Sequence, residues 1–281
     1  MIPPVPRGIV AEIVALALDE DLGGRGDLTS LATIPEDAVA AFDIVSRAEG
    51  VLAGRQAADE VMAQVDPEIS CDWRISDGDE VHAGQTVARL SGPARSLLTA
   101  ERSVLNFLGR LSGVATLTRR YAAAIAGTAA VIAHTRKTTP GLRALELQAV
   151  RAGGGASHRF GLDDAILIKD NHVAVCGGVG EAVRRAKAFA GHMTRVAVEV
   201  DRLDQLGDAI ESGAESVLLD NFGLDDLRKA VGAAKGKVTL EASGGVTLDT
   251  VRAIAETGVD VISVGAITHS AVNFDFGLDE F

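Results

Sequence analysis

Between His134 and His172 lie three of the chain's six histidines and six cationic side chains, Arg136, Lys137, Arg143, Arg151, Arg159 and Lys169. Four carboxylates stand against them: Glu146, Asp163, Asp164 and Asp170. The window is therefore net positive in a chain of formal charge −12. A cationic island in an acidic protein suits a small anionic ligand. Arg143 and Arg151 fall in a helix-like stretch and read as a solvated helix face. His158-Arg159 follows Gly153-Gly154-Gly155, a run that permits close backbone approach to an anion. An arginine fork can grip a carboxylate or phosphate with two hydrogen bonds. No GK[ST] follows the glycines and no strand precedes a GxGxxG, so neither a P-loop nor a dinucleotide fingerprint is present.

The remaining chemistry sits where short apolar runs end. Thr135-Arg136-Lys137 closes the first such run. A break in the strand there would let both cations reach one pocket, since adjacent strand residues otherwise face opposite sides. Lys169 follows Ile166-Leu167-Ile168 in an expected core strand, where desolvating an ammonium is costly and argues for a purpose. Glu199 and Asp220 close two further runs. Carboxylates there suit ribose hydroxyls or Mg²⁺, a cation that takes oxygen ligands and keeps several waters. The competing reading is an ion pair with Lys137 or Lys169. Ser243-Gly244-Gly245 and Gly265-Ala266 close the last two runs and read as a phosphate cradle of free backbone N–H groups. Glu241, deeper in its strand, reads as structural, as does His269.

These residues need a frame that gathers run ends. The runs are AVIAHTRKT (130–138), AILIKDNH (165–172), RVAVEV (195–200), SVLLDN (216–221), KVTLEASGG (237–245) and VDVISVGA (259–266). Helix-like stretches such as EAVRRAKAFA and LDDLRKAVGAAKG separate several of them. This alternation predicts βαβ units and a parallel sheet buried on both faces. Each run is apolar first and polar last, as in α/β barrels, whose strands open at their C-terminal ends onto one active face. Six strands fall short of a closed eight-stranded barrel. Residues 1–105 differ, with FDIVSRAEGVLAG and CDWRISDGDEVHAGQTVARLSG reading as strands and turns. A helix is expected from near Thr99 to Ser112. The expected domains are 1–105 and 106–268, with the tail 269–281 packing on the first. ISDGDEVHAGQTVARLSG is similar to the hairpin of lipoyl or biotinyl carriers, but no lysine precedes Lys137, which excludes a swinging arm and leaves a structural hairpin.

Composition narrows the partners. The charge argues against nucleic acid and acidic membrane surfaces. Two cysteines without metal spacing read as reduced thiols. No apolar stretch reaches membrane-spanning length, and the N-terminus lacks a signal-peptide pattern. A cytoplasmic enzyme is the expectation.

AERSVLNFLGRLSGVAT, HTRKTTPGLRALE, AVRAGGGASHRFGL, ILIKDNH, VEVD, LLDN, LEASGGV and ISVGAITHS resemble, in order, the motifs of the quinolinate phosphoribosyltransferase family (nicotinate-nucleotide pyrophosphorylase, carboxylating). EDLGGRGDLTS resembles its N-terminal motif. The resemblance covers essentially the whole chain. It implies an N-terminal α/β sandwich followed by an open, incomplete α/β barrel, assembled as a dimer or a multiple of dimers. It implies transfer from phosphoribosyl pyrophosphate to quinolinate with loss of CO₂ and pyrophosphate, giving nicotinate mononucleotide for NAD synthesis.

Carried over by motif, Arg136, His158 and Arg159 resemble quinolinate-carboxylate binders, with Thr135 beside them. Arg102 resembles a further one, donated across the dimer interface. Lys137 and Lys169 resemble the family's catalytic lysines, and Glu199 and Asp220 its ribose and magnesium carboxylates. Ser243, Gly244, Gly245, Gly265 and Ala266 resemble its 5′-phosphate loops. Three departures stand out. His134 replaces the more usual Asp, Leu147-Gln148 replaces Lys-Tyr, and Ser157 replaces Asn. The second is expected on a helix surface or a subunit contact. Two other readings compete: a related phosphoribosyltransferase of metal-transport gene clusters, and a non-catalytic anion-binding barrel.

Overall fold

The computed structural model describes residues 2–280. In chain order its elements begin with α1 (Arg7–Leu22), α2 (Leu28–Thr33), β1 (Val39–Ser46), β2 (Gly50–Val51), α3 (Arg55–Val65), β3 (Ser70–Trp73), β4 (Glu80–Val81), β5 (Thr86–Pro93) and α4 (Ala94–Ala124). There follow β6 (Val131–Ala133), α5 (Arg143–Ala152), β7 (Ile166–Ile168), α6 (Asp170–Cys176), α7 (Val179–Phe189), β8 (Val196–Val200), α8 (Gln205–Glu211) and β9 (Ser216–Asp220). The chain ends with α9 (Leu224–Ala234), β10 (Thr239–Ser243), α10 (Val251–Ala255), β11 (Val261–Ser263), α11 (Ala266–His269) and β12 (Phe276–Glu280). They form two compact units. One comprises the chain up to Arg119, Thr138–Gly154 and the chain from Ala266; the other comprises Arg120–Lys137 and Gly155–Gly265.

The first unit is built on an antiparallel sheet of order β12-β1-β5-β3. The C-terminal strand β12 pairs with β1, Ile44 opposite Leu278. The short strands β2 and β4 pair separately. The carrier-like hairpin therefore does not form, because β4 pairs with β2 while β5 lies between β1 and β3. Side-chain pairing across strands selects the register: the Arg89 guanidinium on β5 donates to Asp43 on β1 at 2.8 Å. EDLGGRGDLTS is a helix-to-helix turn. Asp27 caps α2 by accepting from the backbone N–H groups of Thr29 and Ser30, at 3.0 and 3.1 Å. The Thr99 hydroxyl on α4 donates to the same carboxylate at 3.3 Å.

Two expectations for this unit need correction. The helix expected near Thr99–Ser112 is α4, which runs 31 residues. Leu147 and Gln148 do not lie on a helix surface; both are buried, and the Gln148 amide donates to Gln56 Oε1 at 3.1 Å. The pair thus belongs to the packing of this unit. The glycine run has a packing reason as well. A Cβ on Gly153 would collide with the Ala115 carbonyl and the Thr118 side chain of α4, so α5 can close against α4 only if residue 153 has no side chain.

The second unit is the expected parallel sheet, of order β6-β11-β10-β9-β8-β7. Every neighbouring pair is parallel. β6 and β7 stand at the two edges, so the sheet is open. Its strands are rich in Val, Ile and Leu, and their inward positions are fully buried, as at Val196, Val198, Val217 and Leu219. The intervening helices are amphipathic: α7 buries Val179, Ala182 and Val183, three and four residues apart. One boundary differs from expectation. Asp170-Asn171-His172 does not extend β7. The strand stops at Ile168 and α6 begins at Asp170, with His172 Nδ1 accepting from the Lys169 backbone N–H at 3.0 Å.

Candidate active site

In a strand, residues two apart face the same side, and this rule assembles the site. Lys169 and Leu167 come from the end of β7, Glu199 from β8, Asp220 and Leu218 from β9, Ser243 and Glu241 from β10, and Ser263 from β11. With Thr135, Arg136, Lys137, His158 and Arg159 they line one cavity of about 410 Å³. The cavity lies at the C-terminal ends of the parallel strands, where ligands bind in open α/β sheets. Thr135, Arg136, Lys137, His158, Arg159, Lys169, Glu199, Asp220 and Ser243 are thus brought together.

The other expected residues lie elsewhere. Gly244 and Gly245 follow Ser243 with φ of 93° and 59° and do not line the cavity. Gly265 follows β11 and Ala266 opens α11, also outside the lining. Arg102 is exposed on α4. Arg143 and Arg151 do not line the cavity either; Arg143 Nε donates to Thr138 Oγ1 at 3.1 Å. Glu146, counted in the charged window, is fully buried and ion-paired with Arg110 at 2.6 Å.

On one side the cavity is cationic. β6 ends at Ala133, so Arg136 and Lys137 are both free of strand alternation, and the Lys137 backbone N–H donates to Thr135 Oγ1 at 3.1 Å. The Nε atoms of Arg136 and Arg159 are both buried without a hydrogen-bond partner. Burial pushes the Arg159 guanidinium below its ordinary pKa, and the charge of Arg136 adds to that push against a smaller pull from Asp164. Two half-buried cations that repel each other form a place prepared for an anion.

Buried contacts fasten this corner. His134 is 1% exposed, and its Nε2 accepts from the His158 backbone N–H at 3.0 Å. His158 Nδ1 accepts from the Arg159 backbone N–H at 2.8 Å, and its Nε2 lies 3.3 Å from Glu241 Oε2. Asp164 accepts from the backbone N–H groups of Phe160 and Gly161, closing the loop beyond Arg159. Burial alone would raise the Asp164 pKa; these backbone bonds outweigh it and hold the group below the usual carboxylate range.

Carboxylates line the cavity as well. Glu199 pairs with Lys169, so the expected ion pair exists, but the Lys169 side chain is 47% exposed. The argument from a desolvated lysine does not hold; Lys169 sits just beyond the buried strand. Asp220 accepts from the Asn221 side-chain amide at 2.9 Å. Asn221 itself takes φ 57°, and a Cβ on Gly244 would collide with its side chain. The LLDN and SGG motifs are therefore coupled: the turn after Asp220 needs a bare residue after Ser243. Glu199 and Asp220 also border a second cavity of about 340 Å³ with Asp170 and Asp201.

Among the described residues no group of three or more His, Cys, Asp or Glu side chains is arranged to hold a metal ion. Two carboxylates without a closed cage fit Mg²⁺, which commonly uses one or two carboxylates together with substrate phosphates. Glu241 and Ser263 were not foreseen as lining residues. The signal was the two-residue period: Glu241 precedes Ser243 by two, on the same face.

Comparison with known proteins bears on this arrangement. Residues 27–112 match the model for the quinolinate phosphoribosyl transferase N-terminal domain, and residues 114–279 that for the C-terminal domain. A chloroplastic nicotinate-nucleotide pyrophosphorylase (carboxylating) of Oryza sativa is 42% identical, over 98% of this chain and 79% of that protein. The solved structure of nicotinate-nucleotide pyrophosphorylase from Francisella tularensis superposes with a TM-score of 0.95 at 43% identity, covering 99% of this chain and 98% of that one. The enzyme of the same name from Ehrlichia chaffeensis gives 0.91 at 39% identity, covering 96% and 97%.

Proposed function

The chain belongs to the quinolinate phosphoribosyltransferase family, and from that premise we propose that it joins quinolinate to phosphoribosyl pyrophosphate, releasing pyrophosphate and CO₂ and yielding nicotinate mononucleotide for NAD synthesis. One observation carries the choice of a di-acid acceptor: Arg136 and Arg159 both hold a buried Nε with no partner at the same cavity. A mono-acid pyridine needs fewer such contacts, which counts against the related phosphoribosyltransferase. A non-catalytic anion-binding barrel would have no use for the carboxylates that share the cavity with the cations.

In this reading Arg136 and Arg159 grip the quinolinate carboxylates and hold the pyridine nitrogen toward the ribose C1. Glu199 and Asp220 face the ribose, where positive charge builds as the bond to pyrophosphate breaks. Lys137 and Lys169 neutralise the departing pyrophosphate. The nitrogen forms the new bond to C1 with its lone pair, and pyrophosphate leaves with the electrons of the broken bond. The pyridine is then cationic. It accepts the electron pair left on the ring when the adjacent carboxylate departs as CO₂, and a proton replaces that carboxylate. Positioning and electrostatics carry both steps without a covalent enzyme intermediate. Mg²⁺ bound near Glu199 and Asp220, directly or through water, would add positive charge beside the diphosphate. Ser243, Gly244, Gly245, Gly265 and Ala266 would receive the 5′-phosphate. Arg102 would complete the acceptor site of a second copy in a homodimer, alone or as part of a larger assembly, and the enzyme would work in the cytoplasm. No described helix is long and apolar enough to cross a membrane.

The deciding experiment incubates the purified protein with quinolinate, phosphoribosyl pyrophosphate and Mg²⁺. CO₂ release matched by mononucleotide formation is the expected result. Mononucleotide formed with nicotinate but not quinolinate as acceptor would assign the related enzyme instead. Binding without turnover would leave an anion-binding barrel.

A further inference from the structure

Glu241 enters the cavity from within β10, and its side chain is 9% exposed. One carboxylate oxygen, Oε2, lies 3.3 Å from His158 Nε2. The other, Oε1, is buried without a partner. At the far side of the ring, His158 Nδ1 lies 2.8 Å from the backbone nitrogen of Arg159. A backbone N–H can only donate, so Nδ1 must be unprotonated to accept it. The proton of a neutral ring then resides on Nε2, beside the carboxylate. The alternative tautomer would set an Nδ1–H against the Arg159 N–H and an Nε2 lone pair against a buried anion. Both contacts are repulsive.

We infer that Glu241 is a positioning residue of the site: it holds His158 in the Nε2–H tautomer and thereby fixes the His158-Arg159 corner against the cavity. The corner is then tied at both ends. His134, following β6, accepts from the His158 backbone N–H, and Glu241 on β10 holds the ring. His158 Nδ1 is taken up by the Arg159 backbone N–H and Nε2 faces Glu241, while the ring still lines the cavity beside Arg136, Arg159 and the lysines. His158 acts by shaping the corner that presents Arg159. Orientation of a ring by a carboxylate on its second nitrogen is a general means of setting a histidine tautomer.

The kinetic part of this inference rests on the proposed acceptor site; the tautomer itself does not. Long-range ¹⁵N–¹H spectra of the labelled full chain, with His158→Gln to assign the ring signals, read the tautomer directly. The Nε2–H form is expected. An Nδ1–H form would overturn the inference whatever the protein's substrate. Glu241→Ala should release the ring into mixed tautomers and raise the KM for quinolinate about tenfold or more, the loss expected when a charged hydrogen-bond partner is removed. The KM for phosphoribosyl pyrophosphate should stay within about twofold. Glu241→Gln keeps an acceptor oxygen and should restore much of the loss. In a His158→Ala background, adding Glu241→Ala should cost nothing further. An undiminished second penalty would show that Glu241 acts elsewhere. Should Glu241→Ala fail to fold, the wild-type and Glu241→Gln spectra still decide. Should the wild type not turn over quinolinate, the functional reading fails while the spectra still judge Glu241.

Discussion

Replacing Arg159 by Met should weaken quinolinate binding steeply while leaving folding stability nearly unchanged. In the free protein Arg159 is held at a disadvantage, since burial and the Arg136 charge both disfavour its charged form. Its Nε has no partner, and its terminal nitrogen donates to the Ala165 carbonyl at 3.2 Å. Losing that one bond costs about 1 kcal/mol. Removing a repelled, partly unsatisfied cation returns a similar amount, so stability should change by no more than about 1 kcal/mol. The methionine preserves much of the apolar stem. Binding has no such offset. Two charge-assisted bonds from the fork to a carboxylate are together worth roughly 2–4 kcal/mol, which raises Kd by ~30- to ~700-fold. Isothermal titration with quinolinate, beside urea denaturation of the same preparations, separates the two effects. Arg159→Lys should fall between, keeping the charge and losing the fork. A Kd within about threefold of wild type would refute the anion role. A stability loss above ~3 kcal/mol would instead mark Arg159 as a structural ion.

Lys169→Ala should lower kcat/KM by roughly two orders of magnitude or more, measured by CO₂ release, because it removes a cation for the leaving group and leaves Glu199 unneutralised; near-normal turnover would sink the assignment. Gly244→Ala must adopt φ 93° and displace Asn221, and should cost about 1–3 kcal/mol in a denaturant titration; an unchanged midpoint would refute the coupling of the two motifs. Glu146→Ala strips the fully buried partner from Arg110 and should destabilise by ~3–5 kcal/mol; a loss below that range would mean water replaces the carboxylate. Asp27→Ala removes the α2 cap and should cost ~1 kcal/mol at neutral pH. The Ser30 hydroxyl and backbone N–H hold the Asp27 carboxyl below the ordinary aspartate range, so its contribution is present above that range and disappears as pH falls through the lower folded value. A penalty that persists unchanged into acid would contradict this linkage.

Much of the frame was legible because burial on both faces demands apolar runs, and a buried strand can carry charge only where it emerges. That is why Lys169, Glu199, Asp220 and Ser243 could be read as strand ends. Boundaries were less legible where a local signal had two structural solutions. Asp170-Asn171-His172 suits a strand end or a helix start, and the helix won, with His172 accepting the Lys169 N–H. Leu147-Gln148 looked like surface, yet Gln148 is buried because Gln56 offers it a partner. Gly153 has a second reason that no local pattern carries: α4 passes too close for any side chain there.

The sequence by itself determined which residue types could do the chemistry and that they would gather at one end of a parallel sheet. Periodicity and charge are properties of the chain, and they act before any long-range contact forms. Only the tertiary structure decided the partners. Lys169 meets Glu199 from the neighbouring strand; Arg136 and Arg159, 23 positions apart by their numbering, come near enough to repel. Glu241 reaches His158 although an intervening stretch of more than half the second unit separates them in the chain. Pairings of this kind depend on sheet order and on which face each strand presents, which no local pattern encodes. The opening patch of positive charge thus became a corner of a cavity, prepared for an anion by the absence of partners for the Nε atoms of Arg136 and Arg159.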